Sequence, residues 1–162
     1  MNAELLDRAC ARIGALTPML ADCGALCGAA CCHADEDGQG GVYLFPGEAE
    51  RLRACDWVAG TLPGSFAPVM MCDGHCERDR RPLGCRIFPL TPARGKNGRW
   101  TVRLDVRARA MCPLVRSGIN GLNPDFVKAV RDALRIIAED EEGDAFLEKW
   151  HALEDEYRKP LW

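Results

Sequence analysis

The stretch CGALCGAACCH, from Cys23 to His33, places four cysteines within ten residues and makes two of them neighbours. Consecutive Cα atoms lie about 3.8 Å apart, whereas a relaxed disulfide needs Cα atoms about 4.4–6.8 Å apart. Cys31 and Cys32 are therefore poorly placed to bond to each other. Each of them therefore forms a disulfide with another cysteine, binds a metal or stays a free thiol.

Composition favours a reducing environment for these thiols. The chain has 162 residues, 10 cysteines and a net charge of −3. This length is typical of one domain, which buries enough surface to fold without disulfides. We expect no signal peptide and no membrane span, because the sequence lacks a suitable apolar run. A cytoplasmic location is then expected, where clustered cysteines more often bind metal than form disulfides.

The spacing of the first group suits metal ligation. If the group is locally helical, Cys23, Cys27 and Cys31 lie at i, i+4 and i+8 on one stripe. Cys32 then points about 100° away, because a helix completes a turn in about 3.6 residues. The neighbouring pair is therefore suited to two different ions, or to one terminal and one bridging position.

A second group of cysteines follows further along the chain. Cys72 and Cys76 flank an Asp-Gly turn in CDGHC, which is typical of two corners of a tetrahedral site. Arg81-Pro82 favours an extended residue that turns Cys85 back toward this pair. Eight cysteines would supply two four-cysteine sites or one multinuclear cluster. The predicted metal ligands are Cys23, Cys27, Cys31, Cys32, Cys72, Cys76, Cys85 and Cys112.

Together, the segments CGALCGAACC, CDGHC and RRPLGCRIFP resemble the YkgJ-like family of zinc- or iron-chelating cysteine-cluster proteins. The resemblance covers about residues 23–112 and implies the same eight ligands. The family's first motif is usually C-x2-C-x2-C-C, whereas both gaps here are three residues. The resemblance implies metal chelation and no particular reaction. A similar cluster in flagellin lysine methylases keeps a protein-modifying enzyme open as an alternative.

The other candidate residues have simpler interpretations. Cys10 and Cys55 are predicted to be small core residues at the apolar side of helices. His33 and His75 could complete a site with three cysteines, but eight cysteines suffice, so both are predicted to be exposed loop residues. Nearby arginines either offset thiolate charge or belong to a solvated loop, and both hypotheses stay open. These arginines are Arg78, Arg80, Arg81 and Arg86.

Periodicity predicts helices at both ends and strands in the middle. An amphipathic helix is expected from Ala3 to about Ala21, with Thr17 as an alternative cap of a separate short helix. Strands are expected around residues 42–45, 65–71 and 99–106, and a helix at 46–54. Asn123 and Pro124 predict a helix start, and another helix is expected from about residue 144. The predicted buried face of the first of these two helices consists of Phe126, Val130, Leu134 and Ile137.

The sequence thus predicts an α+β fold, with helices at both ends around a small, irregular, cysteine-rich centre with short strands. We expect a single domain over residues 1–162, with a metal-binding core at about 23–112 and a helical region at about 123–158. The favoured function is non-catalytic binding of zinc or iron, including an iron–sulfur cluster. The alternatives are an enzyme using the cluster and a zinc-stabilised module that docks a protein on the C-terminal helices. Nucleic acid is not an expected partner, because the chain is acidic.

Overall fold

The predicted α+β architecture is confirmed by a computed structural model, which describes residues 1–33, 41–52, 58–60, 64–71 and 80–159, with the backbone alone at 58–60. The described residues form α-helices at both ends, short helices between them and two small antiparallel sheets. In this part of the chain, no helix is both long and apolar enough to cross a membrane.

The first helix is shorter than the sequence predicts. α1 spans Ala3–Ile13 and ends at Gly14, whose positive φ of 54° turns the chain out of the helix. The predicted extension to Ala21 is therefore wrong. Thr17 starts no separate helix either, because its hydroxyl donates to the carbonyls of Met19 and Ala21 in a turn.

The two C-terminal helices follow their predicted starts closely. α6 spans Pro124–Ile137, and the Asn123 side chain accepts the N–H of Asp125 at 3.0 Å, as a cap should. α7 spans Glu141–Arg158 and begins three residues before the predicted start, because Asp140 caps its first turn. The predicted face of α6 is fully buried: Phe126, Val130, Leu134 and Ile137.

A three-stranded antiparallel sheet occupies the middle of the chain. Its strands are β1 (Val42–Tyr43), β2 (Val58–Gly60) and β3 (Val69–Met71), with β3 between the other two. The predicted strands that contain β1 and β3 are confirmed, although both are shorter than expected. α3 follows β1 and spans Glu48–Leu52.

Helix α3 begins two residues later than Pro46, the expected first helical residue. Gly47 adopts a positive φ of 84°, which keeps residues 46–47 in a turn. The expected end of this helix, Ala54, lies outside the described residues, as does the CDGHC turn.

The strand that the sequence predicts most strongly belongs to a two-stranded sheet. β5 (Trp100–Leu104) confirms the predicted strand, and it pairs with β4 (Leu90–Arg94) in an antiparallel register. β4 was not predicted, because Pro92 lies in its middle. Each strand has one unpaired side in such a small sheet, so a residue without an N–H is tolerated there.

The core joins both ends of the chain. α1 packs against α6, α6 packs against β5, and α7 packs against β4. Five aromatic rings fill the space beside α7, with centroids 4.5–5.9 Å apart. These rings belong to Tyr43, Phe45, Phe66, Phe146 and Trp150.

The cysteine-bearing segments fold into very short elements around this core. α2 spans Gly24–Cys27, α4 spans Leu83–Ile87 and α5 spans Ala108–Met111. Short 3₁₀ helices of three to five residues lie beside them, at Ala30–Cys32, Pro113–Ser117 and Ile119–Gly121. Helices this short are not stable alone, so tertiary contacts must hold each one in place.

Gly84 lets α4 approach the first strand closely. A Cβ atom at Gly84 would lie 2.3 Å from Cγ2 of Val42 and 2.9 Å from the carbonyl oxygen of Tyr43. The second contact is with backbone, which cannot move aside like the end of a flexible side chain. A glycine is therefore required where α4 meets β1.

We predict that Gly84→Ala lowers the free energy of unfolding by about 1–3 kcal/mol, the usual cost of overpacking. Urea denaturation would measure the change. Gly24→Ala is the matched control, because its added Cβ would meet other atoms at 3.4 Å or more. A Gly84→Ala chain as stable as the wild type would contradict the close packing of α4 on β1.

Candidate metal centre

One cavity is lined by six of the eight predicted ligands. They come from three segments that are far apart in sequence, at residues 23–32, 85 and 112. The six are Cys23, Cys27, Cys31, Cys32, Cys85 and Cys112. The two other predicted ligands, Cys72 and Cys76, lie outside the described residues. The fold thus gathers every predicted ligand whose position it describes.

The first cysteine segment is not one continuous helix, as the stripe hypothesis required. α2 ends at Gly28, where φ is 63°, and Ala29 also has a positive φ of 55°. Left-handed residues end a right-handed helix, so Cys31 and Cys32 lie in a separate 3₁₀ turn. The predicted stripe of Cys23, Cys27 and Cys31 is therefore wrong. All three cysteines nevertheless line one cavity.

Cys85 lies in α4, whose first turn is fixed by a buried carboxylate. Glu48 is 3% exposed and accepts the N–H of Leu83 at 2.6 Å and the N–H of Phe45 at 2.9 Å. Pro82 precedes the helix and has no side-chain group that could cap it. No signal in the sequence indicates the contact with Leu83, since the two residues lie 35 positions apart.

Cys112 stands at the end of α5 in extended geometry, with φ −108° and ψ 110°. Pro113 requires such geometry of the residue before it. The turn before α5 is fixed by Asp105, which is 1% exposed and accepts the N–H of Arg107 at 2.8 Å. The Asp105 carboxylate also binds the guanidinium of Arg107. A second buried carboxylate therefore supports the position of Cys112.

The thiols are close enough to affect one another electrostatically. Burial is the main cause that raises the pKa of Cys23, and nearby Asp22, Cys27 and Cys112 raise it further. Burial likewise raises the pKa of Cys112, with a further contribution from Cys27. Because each thiolate disfavours the next, the group accumulates negative charge only when a cation balances it.

The neighbouring pair divides into a donor and an acceptor. A hydrogen bond between the two side chains raises the pKa of Cys31 and lowers the pKa of Cys32 to about 6. Arg81 and His33 lower the pKa of Cys32 as well. The hydrogen bond thus makes the two thiols chemically different. Their predicted division between two ions, or between a terminal and a bridging position, stays a prediction.

The arginines and histidines divide between the cavity and the solvent. Arg81 and Arg86 line the cavity, so the hypothesis that they offset thiolate charge gains support. Arg80 and His33 are exposed, as expected for residues of a solvated loop. Arg78 and His75 lie outside the described residues.

Of the two cysteines assigned to the core, one can be located. Cys10 is half-buried, packs against the core formed by α1 and its neighbours, and does not line the cavity. Burial raises the pKa of this thiol. Cys55 lies outside the described residues.

The donor chemistry of the cavity suits a soft or borderline metal. All six candidate donors are sulfur atoms, which favour zinc or iron–sulfur centres over magnesium, calcium or manganese. Among the residues that the structure describes, however, no three ligating side chains stand at metal-binding spacing. No disulfide joins any of the seven described cysteines, so their thiols are available as ligands.

Comparison of this chain with models of protein families, with curated proteins and with solved structures finds no match. The resemblance to the YkgJ-like family therefore stays a prediction made from three short motifs.

We predict that iodoacetamide modifies Cys32 much faster than Cys31 at pH 7 in the metal-free protein, because the thiolate is the nucleophile. Peptide mass spectrometry after brief labelling would resolve the two sites. The labelling rate of Cys32 should rise with pH around a midpoint near 6. Equal rates, or faster modification of Cys31, would contradict the assignment of donor and acceptor. Cys10 serves as a slow internal reference, since burial raises its pKa.

Proposed function

We propose that this protein binds zinc or iron, the latter alone or as an iron–sulfur cluster, through the cysteines of the cavity. The observation that supports the proposal is the gathering of six cysteines around one cavity. Cys23 and Cys112 stand 89 positions apart in the sequence and still face the same space. Cysteines that only filled the core would have no reason to be collected in this way.

The proposed ligands are the six cavity cysteines together with Cys72 and Cys76. The last two are assigned from the CDGHC motif alone. Binding would remove the protons of the thiols and balance their negative charge with the charge of the metal. Arg81 and Arg86 would supply further positive charge beside the sulfur atoms. The proposal includes a cytoplasmic location, where thiols remain reduced.

The proposed role of the metal is structural. The segments that bear the cysteines consist of short helices and single turns, which have little stability of their own. A metal that bonds to three such segments would fix them relative to one another. The binding energy would then add to the folding energy, as it does in other structural metal sites.

An enzyme that uses the metal is the second candidate, and one observation favours it. The cavity has an apolar side in addition to its cysteines, formed by Ile13, Leu16, Phe88, Met111 and Leu114. An apolar wall beside a reactive centre suits a bound organic molecule.

The interaction-module hypothesis has less support, because Tyr157 alone among the described residues of α6 and α7 is a large exposed hydrophobic residue.

We predict that protein purified without oxygen contains zinc or iron in stoichiometric amount. Elemental analysis would give the metal content, and an absorption spectrum would separate colourless zinc protein from brown iron–sulfur protein. Metal-free protein in which all ten thiols react under native conditions would refute the proposed function. The same sample, incubated with each metal in turn, would show whether the metal had been lost during purification.

We predict that Cys31→Ser and Cys32→Ser each lose metal, with different residual metal content or spectra. The reason is that the two thiols differ in pKa and in hydrogen bonding. Elemental analysis and absorption spectra would compare the two variants. Cys10→Ala is the matched control and should keep its metal at a stability cost of about 1 kcal/mol. Identical behaviour of the two serine variants would argue against distinct roles for the pair.

A further inference from the structure

Glu48 lies outside the three cysteine motifs and connects one of them to an earlier part of the chain. Its carboxylate is 3% exposed, and each of its two oxygens accepts a different backbone N–H. One N–H belongs to Phe45, just before α3, and the other to Leu83, the first residue of α4. Two backbone groups that are 38 positions apart are thus held by one side chain.

We propose that Glu48 is a positioning residue for Cys85, and that its ionised carboxylate fixes α4 so that the Cys85 sulfur faces the other cavity thiols. The proposal rests on the proposed metal-binding function for its consequence, although the contact itself is independent of any metal. Glu48 does not line the cavity, so it acts on the site through Leu83 and α4.

In the described part of the chain, the residue just before α4 supplies no side-chain cap. The first N–H groups of a helix lack partners within the helix, and a polar side chain just before it usually accepts one of them. Pro82 occupies that position and offers no such side chain. The carboxylate of Glu48 takes its place, and its negative charge also suits the positive end of the helix.

The number of acceptors on Glu48 depends on its protonation. An ionised carboxylate accepts through both oxygens, whereas a protonated one turns one oxygen into a donor. A single protonated side chain therefore cannot hold the N–H groups of Phe45 and Leu83 equally well. Glutamine has one acceptor oxygen and one NH₂ group, so Glu48→Gln reproduces the protonated state.

The switch between these states falls near neutral pH. Burial raises the pKa of Glu48 to about 7, against the opposing effects of the two N–H groups and of Arg51 and Arg86. The thiol of Cys10 on α1 also lies within electrostatic reach of Glu48. Both N–H groups are therefore held above pH 7, and one of them is released as the pH falls below it.

Whole-protein stability changes in the opposite direction. The folded chain holds the Glu48 proton more tightly than the unfolded chain, whose glutamate pKa is about 4.3. Ionisation therefore lowers the stability of the fold as pH rises from about 4.5 to 7, even while it secures α4.

Amide hydrogen exchange of metal-free protein tests the contact directly. At pH 8 we expect peptides covering residues 83–87 to exchange about tenfold faster or more in Glu48→Gln than in the wild type. Glu154→Gln is the matched control, because Glu154 is equally buried but does not contact α4. At pH 6, after correction for intrinsic exchange rates, the wild type should exchange in α4 nearly as fast as Glu48→Gln. Equal protection in all three proteins at pH 8 would overturn the proposal.

Alkylation of Cys85 in metal-loaded protein tests the consequence for the site. We expect Cys85 to be labelled several-fold faster in Glu48→Gln than in Glu154→Gln, both at pH 8. Unchanged labelling, despite faster exchange in α4, would overturn the positioning role. A wild-type chain that takes up no metal would refute the proposed function and leave the exchange test of Glu48 valid. If Glu48→Gln does not fold, the wild type alone tests the proposal. Equal exchange in α4 of the wild type at pH 8 and at pH 6 would then overturn it.

Discussion

The packing of α1 against α6 is the constraint on which the cysteine cavity depends. The segment after α1 is tied to the start of α6 by Asn123, which donates its backbone N–H to the carbonyl of Pro18 at 2.8 Å. The side chain of Asn123 caps α6 through its oxygen, and its NH₂ group lies within hydrogen-bond reach of the Thr17 carbonyl. One residue therefore fixes both the beginning of the C-terminal helices and the path of the chain into Cys23.

Around this frame, buried carboxylates support the segments that bear single cysteines. Glu48 holds the turn before Cys85, and Asp105 holds the turn that leads to Cys112. Buried acids are costly unless hydrogen bonds or charges satisfy them, and both residues are satisfied by backbone N–H groups. Such residues specify the shape of a loop without contacting the thiols that the loop presents.

Local signals in the sequence predicted the regular parts of the fold, and non-local contacts explain most of what it missed. Asn123 and the spacing of the apolar residues in α6 predicted that helix correctly, because a cap and an amphipathic face are properties of neighbouring residues. The extension of α1 and the cysteine stripe were wrong, because Gly14 and Ala29 take left-handed conformations. The cysteine motifs indicated a shared site, but the role of Glu48 depends on a partner 35 residues away that no local pattern indicates.

The closeness of Cys23 and Cys112 also bears on the entropy of metal capture. Bringing together two points 89 positions apart restricts a flexible chain, and that restriction grows with the logarithm of the loop length. In the folded chain, the packing of α1 against α6 already brings the two ends of this loop together. Under the proposed function, an ion would meet thiols that the fold has already brought together, so its affinity would reflect short local adjustments rather than the ordering of the whole chain.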